Sequence, residues 1–249
     1  MSETVQGVML PLIGTSIGAA CVFPMKREPC DAFRNALSGF AAGVMAAAGV
    51  WSLLIPAIEG SFALGKLAFL PAAIGLMAGT LLMLLLDRAV KSLCKRLSGC
   101  LPKNSMLTLA VTLHNIPEGM VVGAAFAGVA AGEGNITAAA AMTLAVGIAI
   151  QNFPEGAMIS MPLKAGGMKR APAFFIGVLS GVVEPIGAAV TLMAADIVAP
   201  ALPYILSMAA GAMYYVAAAE LIPESAADGG AVSFAAGFTV MMSLDVLLG

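Results

Sequence analysis

Long apolar stretches, each bounded by charged residues or by proline and glycine clusters, follow one another from end to end of this sequence. Their lengths lie near the roughly 20 residues an α-helix needs to cross a bilayer core. Barrel strands do not fit, since they take about 10 residues and alternate polar with apolar. Of the 249 residues 10% are charged and 60% hydrophobic, whereas a soluble domain carries roughly 25% charged residues. A chain this poor in polar side chains cannot coat itself for water. It reads as an all-α integral membrane protein, a single transmembrane domain over residues 1–249 embedded in the lipid bilayer, with no nucleic-acid partner.

Eight transmembrane helices are expected, over 5–23, 35–56, 67–86, 105–130, 135–161, 172–195, 200–222 and 231–248. The opening MSETVQG has no positive charge, so the first run is expected to stay as a helix rather than leave as a signal peptide. Placing the N-terminus outside puts every lysine and arginine except Lys66, out of 12, on the cytoplasmic side. Both termini are then extracytoplasmic. The basic stretch 91–100 is read as this orientation signal rather than as a lipid- or metal-handling loop. Cys21, Cys30, Cys94 and Cys100 show no CxxC spacing and read as reduced structural thiols.

Two of the apolar runs contain nearly the same polar phrase. HNIPEG covers 114–119 in the fourth span and QNFPEG covers 151–156 in the fifth. A short turn over 132–135 makes these spans an antiparallel pair, so the phrase runs in opposite directions across the bilayer. A fainter echo joins AAGVM and LIPAIE of span 2 to AAGAM and LIPES of span 7. Together they suggest an inverted repeat of helices 1–3 and 6–8 around the central pair 4–5, a transporter signature.

In a helix, residues three and four apart share a face. His114 and Asn115 therefore lie beside Glu118, and Gln151 and Asn152 beside Glu155. Pro117 and Pro154 have no N–H for the carbonyls of Leu113 and Ile150, so each helix is expected to kink or open there, with Gly119 and Gly156 relieving crowding. A carboxylate at mid-bilayer costs a few kcal/mol, and two close together need protons or a cation. No lysine or arginine lies in spans 4, 5 or 6 to neutralise them. A divalent metal would, and imidazole with carboxylate suits Zn²⁺ and its neighbours. Glu184, just before Pro185 in span 6, reads as a third wall. Met45 in span 2 offers a soft thioether among 17 methionines that mostly fill gaps. Glu59, Glu220 and Glu224, toward helix ends, are read equally as ion guides or as solvated charges.

These motifs, HNxPEG, its glutamine-bearing partner and the E-P of span 6, resemble the ZIP (Zrt/Irt-like) family of divalent-metal transporters, in particular its bacterial GufA-type branch. The resemblance implies a homodimer in the inner membrane. Spans 1, 4, 5 and 6 would carry the metal against a scaffold of spans 2, 3, 7 and 8, by an elevator-type motion. It implies transport of Zn²⁺, or of Fe²⁺, Mn²⁺ or Cd²⁺, into the cytoplasm, with no bound cofactor. One metal position would comprise Met45, His114, Glu118, Gln151 and Glu155. The other would comprise Asn115, Glu118, Asn152, Glu155 and Glu184. Relatives often have histidine at the position of Gln151, and some have aspartate at that of Asn152.

An intramembrane zinc hydrolase is the main rival. Such enzymes usually hold zinc with two or three histidines, and this chain has only His114 and no HExxH. A proton-coupled carrier of small solutes, using Glu118, Glu155 and Glu184 as relays, is a second, and a passive metal channel a variant. Metal binding needs neutral imidazole and ionised carboxylates, so it releases protons. Uptake is expected to weaken as the medium is acidified, and a flat pH profile of transport would remove His114 from the ligand set.

Overall fold

The structure is a computed structural model that describes residues 3–26, 28–97, 103–132, 136–226 and 229–248. Positions 133–135 of the expected turn, and Cys100, lie outside the described residues. Helix α1 covers Glu3–Ala20 and α2 covers Asp31–Glu59. Next come α3 (Phe69–Leu97), α4 (Lys103–Ala131) and α5 (Ala138–Ala165). They are followed by α6 (Arg170–Met193), α7 (Ala195–Glu224) and α8 (Gly230–Leu248). The described residues contain no strand.

Five of these helices (α2, α3 through Leu93, α6, α7 and α8) are long and apolar enough to cross a membrane. In α5 the polar residues Gln151, Asn152 and Glu155 sit mid-helix and lower its hydropathy below that mark. Large apolar side chains point outward along the bundle, such as Ile74 and Leu85 of α3 and Leu179 of α6. A surface of that kind is stable against lipid tails, and the chain is an α-helical membrane protein.

The helices do not all bend where proline predicts. Both α4 and α5 run unbroken through Pro117 and Pro154. By contrast α6 breaks at Val182, between Gly181 and Val183, one turn before Pro185. In α2 and α7 the turn before proline widens to a π-helix, over Gly49–Leu54 and Ala217–Leu221. The isoleucine preceding each proline donates five residues back, Ile55 to Val50 and Ile222 to Ala217. The wider turn moves carbonyls away from the pyrrolidine ring, which would otherwise clash with the residue four back.

The most extensive pairings are α1 with α5, α2 with α8, α3 with α7 and α4 with α6. Each is made at glycine. A Cβ added at Gly14 or Gly18 of α1 would overlap a backbone carbonyl of α5 (Ala149 or Phe153), and at Gly156 of α5 the carbonyl of Thr15. Gly43 of α2 meets the Phe234 carbonyl, Gly79 of α3 that of Met208, and Gly119 of α4 that of Glu184. Lipid supplies no hydrophobic drive between helices, so small residues that let backbones touch provide the packing. Gly119 and Gly156 thus serve neighbouring helices, in addition to following a proline.

Val at position 43 would push methyl groups into the α8 backbone. Gly43→Val is expected to destabilise the protein by about 1–3 kcal/mol, read as a lowered unfolding temperature in detergent.

Candidate metal centre

Three helices carry the polar phrases into the bundle interior, and α1 adds a hydroxyl. Asn115, Gln151, Asn152, Glu184 and Thr15 are fully buried, while Glu118, Glu155 and His114 keep at most 9% exposure. Helical spacing places His114, Asn115 and Glu118 on one side of α4, and Gln151, Asn152 and Glu155 on one side of α5. The break at Val182 sets Glu184 at the start of the second half of α6.

Half of the polar group of Asn115, Glu118, Gln151 and Glu184 is used up by a neighbour. Gln151 donates from Nε2 to Glu118 Oε1 at 2.7 Å. Asn115 donates from Nδ2 to Glu184 Oε1 at 2.9 Å and to the Ser180 carbonyl at 3.2 Å. Thr15 Oγ1 donates to the same Glu184 oxygen at 3.0 Å. The Asn152 carboxamide lies beside Glu118 and Glu184 without closing a well-formed hydrogen bond.

What remains is one unpaired donor, Asn152 Nδ2, and a set of buried oxygens with nothing to accept: Asn115 Oδ1, Glu118 Oε2, Gln151 Oε1, Asn152 Oδ1 and Glu184 Oε2. Leaving a buried acceptor unpaired costs about 1–3 kcal/mol, and more for a charged one. The carboxylates also repel one another, Glu118 facing Glu184 and Glu155 facing Glu118. The ion pairs of Lys91 with Asp87 and of Arg34 with Asp31 lie elsewhere. Among the described residues no three His, Cys, Asp or Glu side chains converge into a ligand group. A cation held here would have to draw on the amide oxygens as well as the carboxylates. Oxygen donors of this kind suit hard to borderline divalent cations.

His114 and Glu155 also line a cavity of about 270 Å³, with Met158, Glu220, Glu224 and Arg34 among its other walls. Imidazole Nδ1 of His114 stands 3.7 Å from Glu220 Oε2. Ser38 of α2 donates to Glu224 Oε2 at 2.9 Å and approaches Met158 Sδ at 3.2 Å. A separate cavity of about 290 Å³ is lined by Trp51, Ser52, Glu59, Leu144 and Asp245 among others.

The structure thus joins Asn115 to Glu184 and Gln151 to Glu118, and puts His114 and Glu155 on one cavity. Glu220 and Glu224 share that cavity, whereas Glu59 lines the other. Met45 is buried in the apolar core and is not part of the cavity wall around His114. Sequence reading missed Thr15, Ser38 and Met158. A hydroxyl or thioether in a small-residue helix has no local signal, and only the packing of α1 on α6 and of α2 on α5 and α7 reveals them.

Residues 101–245 match the family described as ZIP zinc transporter. Zinc transporter ZIP11 of Xenopus tropicalis is 34% identical, over 99% of this chain and 97% of its own length. Zinc transporter ZIPB of Bordetella bronchiseptica is 36% identical over 87% of this chain and 72% of its own. Zinc transporter GufA of Myxococcus xanthus is 35% identical over 58% of this chain and 56% of its own.

Binding at the unpaired oxygens stabilises the folded state by mass action, about 2.7 kcal/mol at a free ion concentration 100-fold above Kd. Zn²⁺ should raise the unfolding temperature in detergent and a chelator should reverse it. Glu118→Gln removes a repelling charge and a ligand together, so it is expected to stabilise the metal-free protein while abolishing the zinc-dependent rise.

Proposed function

The chain belongs to the ZIP zinc transporter family, and on that premise we propose that it carries Zn²⁺ into the cytoplasm through a site between α4, α5 and α6. The observation that carries this reading is the group of buried, unpaired oxygens on those helices, next to a cavity that reaches His114 and Glu155. The family is one of transporters, so the hydrolase alternative is set aside. Fe²⁺, Mn²⁺ and Cd²⁺ are further cargo for the same donors.

The cavity that reaches His114 opens among Glu28, Pro29 and Arg34, the end of α5 at Ala165 and the end of α7 at Glu224. These belong to the side rich in lysine and arginine, which the positive-inside rule assigns to the cytoplasm. We read the conformation as inward-facing, in the inner membrane of a bacterial cell, with both termini extracytoplasmic. The second cavity, with Glu59 and Asp245, lies on the opposite side. Its lining includes the buried apolar residues Leu144 and Ala125 and none of the cluster's polar residues.

Eight crossings and an inverted repeat are part of the same proposal. Exchanging α1 with α6, α2 with α7, α3 with α8 and α4 with α5 turns the α1–α5 pairing into α6–α4, and α2–α8 into α7–α3. The pairings and the matched π turns in α2 and α7 support that exchange. The helices then form two glycine-welded groups, α1, α4, α5 and α6 against α2, α3, α7 and α8. Alternating access would be a displacement of the first group against the second, with the homodimer holding the second in place. Ser38 of α2, against Met158 of α5, lies on the seam between them.

His114→Ala, Glu118→Ala and Glu155→Ala are each expected to reduce zinc uptake into proteoliposomes to background while expression and dimerisation persist. Uptake that survives one of these substitutions removes that residue from the site. Uptake at the wild-type level in all three would end the proposal.

A further inference from the structure

The contribution of α1 to the metal centre is the Thr15 hydroxyl, which is fully buried and stands 3.0 Å from Glu184 Oε1. Its one proton has two acceptors in reach, that carboxylate and the Pro11 carbonyl at 3.2 Å. A charged acceptor makes the stronger hydrogen bond. The residue is also fixed in place. The Thr15 carbonyl lies where a Cβ on Gly156 would be, and its side chain fills the space a Cβ on Gly181 would take. Three helices therefore meet around one hydroxyl.

Asn115 Nδ2 donates to the same Oε1 at 2.9 Å. With two donors on one oxygen, Glu184 has Oε2 buried and unpaired. The same bond turns the Asn115 amide so that Oδ1 is its free end. The structure assigns Thr15 as a positioning residue of the metal centre: with Asn115 it clamps Oε1 of Glu184 and presents Oε2 alone to the cation. The inference rests on the zinc-transport reading above. Groups that orient a ligand from behind are worth about 10–100-fold in metal affinity.

The competing role is structural, a threonine bonding back to Pro11 inside α1. Zinc titration of the purified full-length chain in detergent, with unfolding temperatures taken without metal, separates the two. Thr15→Val keeps the shape and removes the donor. It is expected to weaken zinc binding about 10–100-fold at an unchanged metal-free unfolding temperature, and Thr15→Ser, which keeps the donor, should restore the affinity. Thr15→Ala, which adds no apolar bulk near Gly181, should lose affinity like the valine variant. Wild-type affinity in the valine and alanine variants overturns the assignment, as does a loss confined to metal-free stability. If the wild-type chain binds no zinc, the transport reading falls and this inference with it.

Discussion

Backbone-to-backbone contact at glycine is the constraint on which the rest of this molecule depends. Gly119 admits the main chain of α6 at Glu184, and Gly156 admits that of α1 at Thr15. Those two approaches bring a carboxamide and a hydroxyl from two helices to within 3.0 Å of a carboxylate oxygen on a third. Ordinary side chains at either glycine would hold the helices apart, and hydrogen bonds of this length could not close. The polar centre is a product of the packing, which in lipid has no other strong source of adhesion.

The chemistry of the centre follows from what each group has left over. Gln151 spends its amide protons on Glu118, and Asn115 spends its own on Glu184 and Ser180. Apart from the Asn152 Nδ2, every remaining atom is an oxygen, and no lysine or arginine of α4, α5 or the first turn of α6 stands among the carboxylates. An arrangement whose free groups are mostly acceptors, suited to protons or cations, has been assembled from only a few helical turns. The cavity reaches it at His114 and Glu155, so the imidazole stands on the cavity wall and the unpaired amide and carboxylate oxygens lie buried behind it.

Much of this was legible in the amino-acid sequence because helices repeat at short range. Apolar run length gave most helix ends to within about five residues, but α3 runs on to Leu97, past the expected end at 86, because its last turns are basic rather than apolar. Three- and four-residue spacing put His114, Asn115 and Glu118 on one face. The E-P of span 6 marked the break at Val182. Other features depend on contacts between distant segments. Thr15 has no nearby acid to announce it, and its partner is 169 residues away. The prolines of α4 and α5 looked like interruptions, but both helices continue through them, and the widened turns occur instead before Pro56 and Pro223. Met45 was raised for its thioether and placed in a ligand set by the family resemblance, and it lies in the apolar core rather than on the cavity wall around His114.

The widened turns have a further consequence. From AAG to LIP the chain uses one residue more in α2 than in α7, and the π segment of α2 is six residues long against five in α7. An extra residue in a regular helix would rotate everything beyond it by about 100°, turning lipid-facing groups inward and buried ones outward. A turn already wound loosely can take up that slip where it arises. Insertions and deletions are ordinarily ruinous within a buried rod, and here the molecule has a place where its length can drift over generations while both ends keep their phase.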